Sequence, residues 1–169
     1  MNALPNSVFP ESFFHFGIVV SDFERAVAHY SDTFGIQFTE PSVGRSHFVE
    51  DPDRHQIELV TAFSRTQPPY LELIQATGDG FFSSKNSGKI LYCAVWEKDM
   101  KGRLKQLRAQ KVGIDALVCP AEVDSPPYGI ITSPDANGLR IEYADLSTRP
   151  MIEERIRTGR VSRVPIAGV

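Results

Sequence analysis

Two glutamates stand in runs that should carry them out of water. Glu72 lies within Tyr70-Leu71-Glu72-Leu73-Ile74, and Glu142 within Leu139-Arg140-Ile141-Glu142-Tyr143. A carboxylate placed there is costly unless it meets a cation or hydrogen-bond donors. A metal ion is a sufficient partner. His15, in the β-rich run Phe14-His15-Phe16-Gly17-Ile18-Val19-Val20, can add an imidazole nitrogen. One imidazole with carboxylate oxygens suits zinc, iron, manganese, cobalt or nickel, with water in the open positions. Tyr92, within Ile90-Leu91-Tyr92-Cys93-Ala94-Val95-Trp96, brings a phenol, a rarer ligand or a proton donor. Other readings stay open. His15 can be a satisfied core histidine, the glutamates edge-strand residues or partners of Arg140, and Tyr92 a packing or hydrogen-bonding group.

The elements that must position these groups occur twice. After the strand at Phe14–Val20, Ser21-Asp22-Phe23-Glu24 has capping-box spacing, and Phe23, Ala26, Val27, Tyr30 and Phe34 form a helical apolar stripe that Gly35 ends. Ile36-Gln37-Phe38 then restarts a strand. The same order returns in Ile90–Trp96, Lys98-Asp99, a helix with Met100, Leu104 and Leu107 inward, and Gly113-Ile114. His15 to Tyr92 and Asp22 to Asp99 are each a step of 77 residues, and Gly35 to Gly113 a step of 78, which one insertion in the helix explains. Each unit closes on strands, 56–64 and 70–76 in the first, 128–132 and 139–144 in the second. Loops at 65–69 and 133–138, rich in Pro, Asn and Gly, make both ends hairpins. Period-two geometry puts His15, Gly17 and Val19 on one strand face and Tyr92, Ala94 and Trp96 on the equivalent face, with the small residue leaving room beside each candidate ligand.

Composition narrows the partners. The 169 residues are 41% hydrophobic and 23% charged, with 11 Phe, 5 Tyr and one Trp, enough for one sizeable core. A net charge of -3 and a pI of about 5.8 lack the basic footprint of a nucleic-acid binder. No apolar stretch reaches membrane-spanning length and no leader pattern opens the chain, so a cytoplasmic location is expected. Cys93 and Cys119 fit neither a disulfide framework nor a CxxC site and read as inert core thiols.

In this order and spacing, His15-Phe16-Gly17-Ile18-Val19-Val20-Ser21-Asp22, Tyr70-Leu71-Glu72-Leu73-Ile74 and Ser133-Pro134-Asp135-Ala136-Asn137-Gly138-Leu139-Arg140-Ile141-Glu142 resemble the vicinal oxygen chelate superfamily. This is the glyoxalase, methylmalonyl-CoA epimerase and bleomycin-resistance group, and the likeness runs over about residues 12–146. It implies an α+β fold of two paired βαβββ units forming an open, barrel-like mixed sheet. It also implies a divalent metal held by the first and last strands of each unit, which names His15, Glu72, Tyr92 and Glu142. Tyr92 departs from the family, whose metal-dependent members usually have His or Gln there. The expected metal set is therefore His15, Glu72 and Glu142, with Glu72, Glu142 and Tyr92 as catalytic groups. Glu58 rivals Glu72, because residues 51–60 imitate the turn-and-strand signature of the second unit. The Pro68-Pro69 loop favours Glu72 by making 70–76 the last strand. His47 and His55 are groove or surface residues, and His29 a solvated helix residue.

The expected organisation is an N-terminal arm at 1–12, one domain at 13–146 made of units 13–76 and 89–146 with a linker between, and a C-terminal helix and tail at 147–169. The resemblance implies a lyase, isomerase or epimerase that abstracts a proton beside a carbonyl of a small oxygenated substrate. Extradiol cleavage fits less well, since Tyr92 removes its second histidine. The alternatives are a metal-free enzyme using Tyr92 as acid, or a metal-free binding protein stacking a planar antibiotic or natural product on Tyr92, Trp96, Phe81, Phe82 and Tyr128. A homodimer is expected, because Phe-rich strands such as 13–20 in an open sheet need covering.

Overall fold

The first strand, β1 (Phe13–Val20), is apolar on both faces and is buried on both. The computed structural model describes residues 12–161, except the side chains of 45–47; the expected arm, apart from Ser12, and the end of the tail lie outside the described residues. Helix α1 (Phe23–Phe34) starts where Asp22 accepts the Arg25 N–H, and ends at Gly35, left-handed at φ 67°. Its stripe of Phe23, Ala26, Val27 and Tyr30 packs on Ile18, Ala62 and Leu73, on the outside of the sheet. Phe34, counted to that stripe, is 62% exposed.

Strands β2 (Ser42–Glu50), β3 (Arg54–Phe63) and β4 (Tyr70–Gln75) complete the first unit. The strand expected at Ile36–Phe38 is only a single bridge from Phe38 to Ser64. The true β2 begins after Pro41, and a register shift between Gly44 and His47 breaks the alternation that would have marked it. The linker is packed rather than loose: Phe81 and Phe82 are buried in the core beside a 3₁₀ turn at Ser84–Asn86.

The second unit repeats the plan with β5 (Ile90–Glu97), α2 (Met100–Ala109), β6 (Ile114–Cys119), β7 (Gly129–Thr132) and β8 (Ile141–Asp145). Asp99 caps α2 by accepting the Gly102 N–H at 2.8 Å, as Asp22 does for α1. Gly113 does not stop this helix. Lys111 takes the left-handed position instead, at φ 57°. Met100 and Leu107 pack on Leu117, Cys119 and Ile130. Burial raises the pKa of both free thiols, Cys93 and Cys119. A final helix, α3 (Arg149–Thr158), carries Pro150 in its first turn.

The strands join in the order β1-β4-β3-β2-β6-β7-β8-β5, and β5 pairs back on β1. The sheet expected to be open thus closes, because β2 meets β6 over Phe48–Glu50 and Leu117–Cys119. The closed ring covers strand 13–20 within one chain: Phe14, Ile18 and Val19 are buried without a second copy. Among the described residues no helix is long and apolar enough to cross a membrane.

Candidate metal centre

β4, β1, β5 and β8 are consecutive in the ring, and each supplies one residue to the same point. β1 and β5 are antiparallel, with His15 opposite Ala94 and Gly17 opposite Tyr92. The parallel pairings place Glu72 beside Gly17 and Glu142 beside Ala94. The two units are therefore related by a local two-fold through the β1–β5 join, and both glutamates sit at equivalent places. Register, which spacing alone could not supply, puts Glu72 rather than Glu58 next to His15. Glu58 is exposed on β3.

His15 Nε2 lies 3.1 Å from Glu72 Oε2 and 3.2 Å from Glu142 Oε2. Neither contact has hydrogen-bond geometry, and both His15 nitrogens and Glu142 Oε2 are buried without a hydrogen-bond partner. One donor atom from each of His15, Glu72 and Glu142 lies within 4.8 Å of the others. Metal–ligand bonds of about 2.1 Å at tetrahedral to octahedral angles set neighbouring ligand atoms about 3.0–3.4 Å apart, which brackets the separations of His15 Nε2 from each glutamate. One imidazole and two carboxylates fit a divalent ion in charge as well as in reach.

Tyr92 completes the cluster. Its hydroxyl donates to Glu72 Oε2 at 3.1 Å. Burial, then the charges of Glu142 and Glu72, hold its phenol well above 10, so it is neutral and a donor. The space expected beside His15 at Gly17 is filled by the Tyr92 ring, which a Cβ on Gly17 would overlap. Gly17→Ala is expected to lower stability by about 1–3 kcal/mol, read by urea unfolding. An unchanged midpoint would show that the ring moves aside freely.

The surrounding residues bear on the other readings. Arg140, considered as a partner for the glutamates, is paired with Asp115 at 2.8 Å. The aromatic set does not form an open stack: Phe81 and Phe82 are buried, and Trp96 lies face to face on Phe14 at 3.6 Å. His29 is exposed on α1, and His55 is exposed beside Asp51 at 3.4 Å. The His47 side chain lies outside the described residues.

Arg155, on α3, is a residue the sequence reading missed. It reaches the inner face of β3, donating from Nη1 to Thr61 Oγ1 at 3.2 Å, from Nη2 to the Glu40 carbonyl at 3.1 Å, and to the Thr61 carbonyl. Its guanidinium carbon stands 5.4 Å from the Phe63 ring, whose centre is 5.4 Å from that of His15. Phe63 is the cross-strand partner of Glu72. Burial draws Arg155 down to about 10, with Glu72 opposing, so it stays cationic at neutral pH. The signal was present: Arg155 follows Ile152 by three residues and adjoins Ile156, the buried residue of the helix.

Burial alone would lower His15, but the charges of Glu72 and Glu142 outweigh it and raise the imidazole from 6.5 to about 9. A folded-state value above the unfolded one gives stability that is complete below about 6.5 and lost as pH rises through about 9. Chelator-treated protein is therefore expected to melt at a lower temperature at pH 9 than at pH 6.5, and His15→Gln to flatten that difference in calorimetry. A wild-type melting temperature that does not fall over this window would contradict the charged triad.

Two βαβββ units closed into one sheet, with an imidazole and two carboxylates at their join, define a glyoxalase-like barrel. The Glyoxalase/Bleomycin resistance protein/Dioxygenase superfamily model matches residues 14–119, and the chain belongs to that superfamily. Solved structures show the same fold at low identity. Methylmalonyl-CoA epimerase from Mycobacterium tuberculosis is 17% identical with a TM-score of 0.51, over 79% of this chain and 87% of that one. A variant of the Streptomyces coelicolor methylmalonyl-CoA epimerase bound to 2-nitronate-propionyl-CoA is 17% identical with a TM-score of 0.53, over 79% and 96%. A hypothetical protein from Bacillus halodurans is 14% identical with a TM-score of 0.52, over 79% and 92%. No curated protein matches the chain significantly.

Proposed function

We propose that this protein is a divalent-metal-dependent enzyme that moves a proton on the carbon beside a carbonyl of a small oxygenated substrate, with an epimerase, isomerase or lyase outcome. The observation that supports it is the meeting of His15, Glu72 and Glu142 around buried, unpartnered donor atoms, with the neutral Tyr92 phenol alongside. His15 and the two glutamates would hold the ion, which when bound supplies Lewis-acid stabilisation of charge developing on the carbonyl oxygen.

The side chains supply the rest. His15 is 3% exposed and each glutamate side chain 12%, so little water competes, and charge interactions there are strong. Burial raises the Glu142 carboxyl, with His15 pulling the other way, which makes it a stronger base than a solvated carboxylate. Tyr92 keeps its proton on Oη and orients Glu72 through their hydrogen bond; turned from Glu72, the same O–H can donate to a substrate oxygen instead. All four groups come from one chain, so a second copy is not needed to complete the site.

The test is metal analysis of the purified protein, followed by deuterium incorporation in D₂O followed by NMR. Methylmalonyl-CoA comes first, since an epimerase of this fold binds it, and then a panel of oxo acids and hydroxyketones. Exchange that a chelator abolishes and metal restores is the expected result. Protein that retains no metal and catalyses no exchange would overturn the reading.

A further inference from the structure

The arginines of α3 sort into two kinds. Arg149 and Arg157 are exposed, and each is paired with a glutamate of the same helix, Glu153 at 2.7 Å and Glu154 at 2.6 Å. Arg155 faces inward and has no carboxylate within ion-pair distance among the described residues. Its acceptors are one hydroxyl and two carbonyls, and its Nε is buried with no partner. Taking a guanidinium from water to meet only neutral acceptors is unfavourable. Glu72 is the carboxylate whose charge it feels, but Glu72 already receives Tyr92 and faces His15.

On the metal reading above, Glu72 and Glu142 balance the divalent ion. Arg155 is then the uncompensated positive charge, one aromatic ring, Phe63, away from His15. Phe63 stands edge-to-face with His15 and lies under the guanidinium.

We propose that Arg155 is a specificity-determining residue that receives a carboxylate of the substrate. The protein then selects substrates with a chelating carbonyl pair at one end and a carboxylate a few bonds away, over neutral-tailed compounds of the same length. This rests on the metal reading for the chelating end only. The carboxylate end rests on a guanidinium that meets only neutral acceptors and has no carboxylate within ion-pair distance among the described residues.

The test pairs two probes with the same chelating head and chain length, 2-oxoglutarate and 2-oxopentanoate, which differ in the distal carboxylate. Their binding to full-length, Mn²⁺-reloaded protein is measured by calorimetry and by melting-temperature shift. Wild type is expected to prefer 2-oxoglutarate by about 10- to 100-fold, the worth of a charge-assisted hydrogen bond. Arg155→Gln should bring the ratio close to one while Mn²⁺ content and 2-oxopentanoate affinity stay unchanged, and Arg155→Lys should keep part of the preference. Equal binding by wild type, or a preference that survives in Arg155→Gln, overturns the proposal. Should Arg155→Gln fail to fold, Arg155→Lys decides by the same ratio. If wild type takes up no Mn²⁺ the metal reading fails separately, and the ratio of melting shifts still decides for or against Arg155.

Discussion

Glu142→Ala and His15→Ala are each expected to yield a folded protein that no longer retains a divalent ion, while Glu58→Ala retains it fully. The magnitude follows from the donor count. Three protein donors converge within 4.8 Å, and loss of one leaves two, too few for a tight protein site for a first-row divalent ion. Metal content after dialysis should fall from near stoichiometric to near zero. The fold survives because neither side chain holds the surrounding strands, whose backbone pairing runs through His15–Ala94 and Ala94–Glu142 regardless of side chain. Truncation in the chelator-treated state is not free, since the remaining charged groups lose a buried partner, and a loss of about 3 kcal/mol is expected for His15→Ala. Metal retention by both variants, or its loss in Glu58→Ala, would show that the ion sits elsewhere.

What the sequence made visible is what local chemistry encodes. Asp22 and Asp99 announce helix starts because a carboxylate can cap free N–H groups. The doubled order of elements marked His15 and Tyr92 as equivalent positions of two units, and the family resemblance named Glu72 and Glu142 beside them. What spacing left open was the choice between Glu58 and Glu72, because loop lengths differ between the units and only strand register decides which carboxylate adjoins β1. β2 escaped because its alternation is broken where the register shifts, whereas the apolar Ile36–Phe38 looked like a strand but found a partner at one residue. Arg155 escaped for a different reason. Its spacing from Ile152 and Ile156 turns it inward but does not say what it meets, and the contact with Thr61 spans 94 residues that no local pattern links. Closure of the barrel depends on a three-residue pairing of β2 with β6, which depends on both units being placed first.

Tyr92→Phe is the second large effect, and it separates holding a metal from using one. The ring packs over Gly17 and stays in the phenylalanine variant, so the core is kept. What leaves is one hydroxyl, donated to Glu72 Oε2 at 3.1 Å. Its loss costs about 1 kcal/mol of stability and leaves His15, Glu72 and Glu142 in place, so metal content should be unchanged. Proton exchange on the substrate should fall by about 10²- to 10³-fold, because the variant lacks the group able to donate to a developing oxyanion. A phenolate ligand would predict the opposite order. Burial and two neighbouring carboxylates push Tyr92 well above 10, so forming the phenolate would require the ion to overcome all three influences, each pKa unit being about 1.4 kcal/mol. Tyr92→His replaces that reluctant donor with an imidazole at the position equivalent to His15. It should bind the ion more tightly, giving a fourth protein ligand and slower metal loss to a competing chelator. Loss of the metal in Tyr92→Phe would make the phenolate a true ligand. Retained metal with undiminished exchange would remove Tyr92 from the chemistry and leave the proton to Glu142 and Glu72 alone.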